Sequence, residues 1–84
     1  MKLKVIAVKP MQDKILLVTF SNGETRRFDV KPYIKGPWYG NLAKEDYFAK
    51  VAPAGSTVAW PDGQDIAPHE LYDLSIPVQT EKTA

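Results

Sequence analysis

Ile15-Leu16-Leu17-Val18-Thr19-Phe20-Ser21-Asn22-Gly23-Glu24-Thr25-Arg26-Arg27-Phe28-Asp29-Val30 decides the fold. Two runs rich in β-branched and aromatic residues flank Asn-Gly, a strong short-range hairpin signal. The register follows from burial. A two-residue Asn22-Gly23 turn would pair Leu17 with Phe28 and Ile15 with Val30, placing four apolar side chains on one face. A three-residue Ser21-Asn22-Gly23 loop, with Gly23 left-handed as a bulge, pairs Leu16 with Phe28. Leu16, Val18, Phe20, Phe28 and Val30 then share a face. A slip of one residue reverses every side chain, so the larger apolar set selects the three-residue loop. The opposite face keeps Ile15 and Leu17 and is expected to meet a helix or a subunit.

Working outward, Leu3 to Val8 reads as a first strand stopped by Pro10, which cannot donate to a ladder. Met11 to Lys14 is a turn. After the hairpin, Lys31 to Gly40 is an aromatic loop pinned by Pro32, Gly36, Pro37 and Gly40, with Pro32 placed to open a helical turn. Asn41 to Lys50 reads as a short helix, because Ala43, Tyr47, Phe48 and Val51 recur at helical spacing. Glu45 and Asp46 near its start and Lys50 near its end suit the helix dipole. Val51 and Ala52 begin a fourth strand cut by Pro53. Thr57 to Trp60 is a fifth, with Val58 and Trp60 inward. Pro61-Asp62-Gly63 is a turn, and Pro68 opens a last short helix carrying Leu71, Tyr72 and Leu74. The expectation is an α+β fold with a mainly antiparallel sheet of about five strands and two short helices. Residues 1–76 form a single domain and 77–84 a disordered tail.

Composition narrows the class. A chain of 84 residues buries only about 60–65% of its unfolded surface, so its stability is modest and a partner surface could add to it. There is no cysteine, which removes disulfides and thiolate metal sites. Lys2 and Lys4 interrupt the first apolar residues, and no stretch approaches the roughly 20 apolar residues of a membrane helix. A cytoplasmic protein is expected. The net charge of +1 is unevenly divided: residues 1–35 hold eight bases against three acids, and 36–84 three bases against seven acids. Such asymmetry can mark an anionic partner. Isolated strand lysines are also the ordinary way to protect a sheet edge.

Candidate chemistry is sparse. The single histidine, His69, follows Pro68 at an exposed helix start. Asp62, Asp65 and His69 form the one grouping with a metal-like look, but a Pro-Asp-Gly turn and a helix start account for both carboxylates. No metal, cofactor or catalytic residue is assigned, and no glycine-rich phosphate loop exists. Arg26, Arg27, Lys31, Lys35, Trp38 and Tyr39 interleave bases with aromatics as a nucleic-acid binder would. Adjacent Arg26 and Arg27 nevertheless point to opposite sheet faces, and no helix-turn-helix is present. Protein recognition is the stronger reading. Trp38 and Tyr39 are large amphipathic side chains of interface type, held in a loop that loses little entropy on docking. Arg26, Arg27, Trp38 and Tyr39 are thus the candidate partner contacts, whereas Trp60 is expected in the core. Trp60, Pro61, Asp62, Gly63, Asp65 and Pro68 form a structural turn and helix start.

The pattern resembles a bacterial family labelled domain of unknown function 2442. The resemblance rests on Val18 to Glu24, Arg27 to Val30, Tyr47 to Val51, and Val58 to Ile66 with Pro68, Leu71 and Tyr72. It implies a small α+β domain with a mainly antiparallel sheet, and no catalytic residues to carry over. It also implies a partner encoded by an adjacent gene, in a toxin–antitoxin-like pair. Ala67 departs from the serine common before the proline, removing a helix cap worth about 1 kcal/mol. Some relatives add a DNA-binding helical domain after the motif, and this chain is expected to lack one. The function expected is a non-catalytic protein-interaction module, the antitoxin-like member of a two-gene pair, able also to form a homodimer. The alternatives are an accessory nucleic-acid-binding domain and a small-ligand or metal-binding domain.

Overall fold

Leu16, Val18 and Phe20 alternate inward along β2 (Ile15–Phe20) and meet Phe28, on β3 (Thr25–Asp29), and Val30 just beyond it. The structure, a computed structural model, describes residues 3–78, with Trp38 described by its backbone only. Leu16 pairs with Phe28 and Thr19 with Thr25, the register of the three-residue loop. Each of the five inward residues is at most 1% exposed. Burying a side chain of this size contributes about 1.5–3 kcal/mol, so this face is the main apolar investment of the fold.

Six strands arise among the described residues, not about five. β1 (Val5–Met11), β2, β3 and β6 (Ile76–Pro77) make an antiparallel sheet in the order β1-β2-β3-β6. β4 (Ala52–Ala54) and β5 (Thr57–Ala59) form a separate two-stranded ribbon. The ribbon's Gly55 carbonyl accepts from the Val5 amide at the start of β1. The core closes with Val5, Leu42, Phe48, Val58, Trp60, Ile66 and Leu71 packed with the hairpin residues. The fold is α+β. Among the described residues its α-helices are short: α1 (Gly36–Tyr39) and α2 (Glu45–Phe48) are single turns, and α3 (Pro68–Asp73) is less than two.

Two expectations about strands need correction. Pro10 does not stop β1, which runs on to Met11. The Phe20 amide donates to Glu24 and the Lys14 carbonyl accepts from Val30, so the even residues of β2 direct their backbone toward β3. Pro10 faces Leu16 across the β1-β2 pair and therefore turns its backbone away from β2. The absent N–H costs no ladder bond there and blunts the outer edge of β1. Likewise β4 passes through Pro53. The expected helix over Asn41 to Lys50 is in fact a 3-10 turn at Gly40–Ala43, a break at extended Lys44 (ψ 128°), and then α2. The break lets Leu42 and Phe48 both reach the core while Ala43, expected inward, stays exposed.

Two loops of unrelated sequence share one construction. In Phe20-Ser21-Asn22-Gly23-Glu24 the Phe20 amide donates to Glu24 and the Gly23 amide donates back to Phe20. In Trp60-Pro61-Asp62-Gly63-Gln64 the Trp60 amide donates to Gln64 and the Gly63 amide to Trp60. Gly23 has φ +91° and Gly63 φ +97°, the left-handed region where glycine avoids a Cβ penalty. Each loop hangs a buried aromatic at its first position, Phe20 and Trp60. The Gly63 hairpin continues through an Ala59–Asp65 bridge.

β6 extends to Pro77, and the Val78 amide still donates to the Thr25 carbonyl. The remainder of the tail expected to be disordered, 79–84, lies outside the described residues.

Candidate functional site

The closing motif is built on its backbone, not on its carboxylates. Tyr47 reaches across from α2, donates its hydroxyl to Gln64 Oε1 at 2.9 Å and accepts from the Asp62 amide at 2.9 Å. Gln64 is fully buried, so the Tyr47 bond offsets part of the desolvation cost of its amide. Trp60 is 3% exposed, as expected of a core residue, and its indole N–H donates to the Phe48 carbonyl at 3.0 Å. Pro61, Asp62 and Asp65 are exposed. Asp65 was expected to cap the last helix; instead α3 begins after Ala67, with Pro68 in its first turn and no side-chain cap. Asp65 supplies its carbonyl to the Tyr39 hydroxyl at 2.9 Å.

His69 lines a depression of about 320 Å³ with Ser56, Tyr72 and Asp73 among its walls. No hydrogen bond joins Ser56, His69 and Asp73 among the described residues, so no nucleophile–base relay is assembled there. Among the described residues no group of three histidine, cysteine or carboxylate side chains converges as a metal site would require.

The two arginines do part to opposite faces, with different consequences. Arg26 turns inward and is held by its own chain. Its Nε donates to Ser75 Oγ at 2.6 Å, Nη2 to the Ser75 carbonyl at 3.0 Å and Nη1 to Glu24 Oε1 at 3.1 Å. The guanidinium lies over the Tyr72 ring, and the Tyr72 hydroxyl donates to Glu24 at 2.6 Å. That bond, with Arg26 beside it, holds the Glu24 carboxyl below its ordinary range. The same bond pushes the Tyr72 phenol up. Arg26 is therefore a clasp joining β3, the Gly23 loop, α3 and β6. Arg27 is exposed on the outward face, opposite Leu17 on one side and Ile76 on the other.

Tyr39, on α1, is half-buried, and burial is the first cause of its raised pKa, ahead of nearby Asp65 and Glu70. The side chain of Trp38 lies outside the described residues. Arg26, Arg27 and Tyr39 therefore do not form one patch: Arg26 belongs to the clasp, Arg27 to the outward sheet face and Tyr39 to the packing around Asp65.

The outward face is where unused surface gathers. Ladder alternation places Met11, Ile15, Leu17, Arg27, Ile76 and Val78 on it. Ile15 and Leu17 are half-buried, while Met11 is 41% and Ile76 58% exposed. A groove of about 850 Å³ runs along Met11, Ile15, Leu17, Arg27 and Val78 and shares its lining with Ala49 just after α2. Sequence reading left Ile15 and Leu17 over but missed Ile76 and Val78. The period-two apolar spacing of Leu74, Ile76 and Val78 was the available signal, hidden because β6 has only two residues.

A small α+β domain with a four-stranded antiparallel sheet and a two-stranded ribbon, the larger sheet packed on one side and grooved on the other, is thus the class that fold and site define. The chain belongs to the family described as "Protein of unknown function (DUF2442)", whose pattern matches residues 5–77. Neither a curated protein nor a solved structure matches it. Among the described residues no helix is long and apolar enough to cross a membrane.

Proposed function

We propose that this chain is a non-catalytic protein-interaction module and that the outward sheet face is its docking surface. The observation that carries the reading is the groove along Ile15 and Leu17, aliphatic at its centre and extended by exposed Met11 and Ile76. Apolar strand residues left accessible in a row form the kind of patch that associates with another protein. The edge of the sheet is less suited to docking, since Pro10 removes a donor from β1. An antitoxin-like role beside the product of an adjacent gene fits this surface. A nucleic-acid role draws less support from it, because the outward strand positions of β1, β2, β3 and β6 carry no aromatic on which a base would stack.

Co-expression with the adjacent gene product tests the reading. The wild-type chain should co-purify with it and Leu17→Asp should not. Undiminished complex with Leu17→Asp would move the docking surface elsewhere. No complex at micromolar concentrations of the wild-type chain would remove the antitoxin-like assignment.

A further inference from the structure

The outward face carries a pattern of charge as well as of apolar surface, and the inference drawn from it rests on the docking reading above. Lys9, Leu17, Arg27 and Ile76 are register partners across four successive strands. Strands lie about 4.8 Å apart, so the Lys9 and Arg27 backbones bracket Leu17 at a separation of about 10 Å. Both cations are exposed. Neither has a hydrogen-bond or ion-pair partner among the described residues. Lys14, Arg26 and Lys31, by contrast, are held by Glu45, Glu24 and Asp29.

The nearby carboxylates are already engaged. Asp29, opposite Ile15 on the same face, pairs with Lys31 at 3.2 Å. Glu45, at the groove lining, pairs with Lys14. A second copy of this chain would therefore bring Lys9 and Arg27 against like charges under a two-fold arrangement, which is unfavourable. An aliphatic centre between two uncompensated cations calls for the opposite pattern on the partner.

We propose that this face binds an acidic-apolar segment of a partner protein, one in which an aliphatic side chain lies over Leu17 between two carboxylates that reach Lys9 and Arg27. Aliphatic contact supplies the affinity, and the two charge pairs supply orientation, association rate and rejection of basic segments. Nucleic acid would satisfy the cations but would leave Leu17, Met11 and Ile76 without apolar contact.

The test uses the full chain with four labelled probes: a blocked peptide of leucine and glutamate, its glutamine twin, its lysine twin, and a thymidine oligonucleotide. Fluorescence anisotropy reads affinity and amide shifts read location. The glutamate peptide should bind, with shifts centred on Lys9, Leu17 and Arg27. The double variant Lys9→Glu with Arg27→Glu should lose at least about tenfold in affinity for it and should prefer the lysine peptide. Both substitutions are at exposed positions, and an unchanged melting temperature verifies that the fold persists.

Equal binding of the glutamine and glutamate peptides at Leu17 would overturn the charge pattern while leaving the docking face standing. Oligonucleotide binding at this face stronger than that of any peptide, falling steeply with salt, would overturn the proposal in favour of nucleic acid. Concentration-dependent dimerisation abolished by Leu17→Asp would replace the acidic segment with a second copy. No shift at this face from any probe at millimolar concentration would also overturn it. The co-expression comparison of wild type with Leu17→Asp then judges the docking reading separately.

Discussion

The guanidinium of Arg26 lies 4.2 Å from the centre of the Tyr72 ring, and both side chains grip the same oxygen of Glu24. This is an intramolecular clasp of planar geometry. Lysine can supply neither the fork of donors nor the stacked plane. Arg26→Lys should therefore cost nearly as much as Arg26→Ala, about 1–3 kcal/mol. Arg27→Ala, at the neighbouring exposed position, should stay within about 0.5 kcal/mol. Urea unfolding of the three variants measures this. Equal costs at Arg26 and Arg27 would contradict the clasp.

Tyr33 contributes stability that high pH removes. Burial, then its hydroxyl bond to Glu70 at 2.7 Å, pushes its phenol from the ordinary 10.0 up to about 12. A folded-state pKa above the unfolded one means that the contribution is fully present below about pH 10. It is lost as pH rises through about 12. Glu24 works in the other direction: its folded pKa is depressed, so its contribution is present above the ordinary carboxylate range and lost as acid protonates it in the folded state. Melting temperatures across pH should fall at both ends. Tyr33→Phe should flatten the alkaline fall, and Glu24→Gln the acid one. Ultraviolet ionisation spectra should show Tyr33 among the late-titrating phenols.

The paired loops predict paired glycine effects. Gly23 and Gly63 have equivalent bonds and nearly equal positive φ, and a Cβ on either would meet no atom within 4 Å. The cost of alanine is then backbone strain without a clash, about 1–2 kcal/mol at each site. Asparagine, which tolerates this region better, should cost less. Thermal unfolding of Gly23→Ala, Gly63→Ala and the two asparagine variants checks the equivalence. A large effect at one loop and none at the other would break it.

How far the sequence revealed the molecule depended on whether a residue's neighbours lay close along the chain. The hairpin register was legible because Asn22-Gly23 places the turn and the larger set of five apolar residues selects one of the two registers it allows. Trp60 was legible as core by its alternation with Val58. The Pro10 and Pro53 strands were not, because whether a missing donor matters depends on which side of the strand the partner lies, a fact of the sheet and not of the residue. The 41–50 segment misled because Ala43 and Leu42 both offer an apolar side chain, and only the break at Lys44 selects Leu42. The role of Arg26 depends on Ser75, distant in sequence, and on the Tyr72 ring. The outward row was half visible, in Leu17, and half hidden in a two-residue strand.

Leu16 and Leu17 put the two-sided sheet to its simplest test. They are adjacent and chemically identical, yet Leu16 is fully buried against the core and Leu17 only half-buried on the outward face. Leu16→Ala removes packed methyl groups and leaves a cavity, at a cost of about 2–5 kcal/mol. Leu17→Ala vacates part of an open groove that the solvent fills, and should cost less than about 1 kcal/mol. Denaturant midpoints give the first comparison. The second is binding: Leu17→Ala should weaken association with an acidic-apolar peptide, whereas a Leu16→Val variant, assayed well below its melting temperature, should bind as wild type does. A destabilising Leu17→Ala with unchanged binding would mean that this face is covered by the protein's own chain, and the docking surface would then have to lie elsewhere.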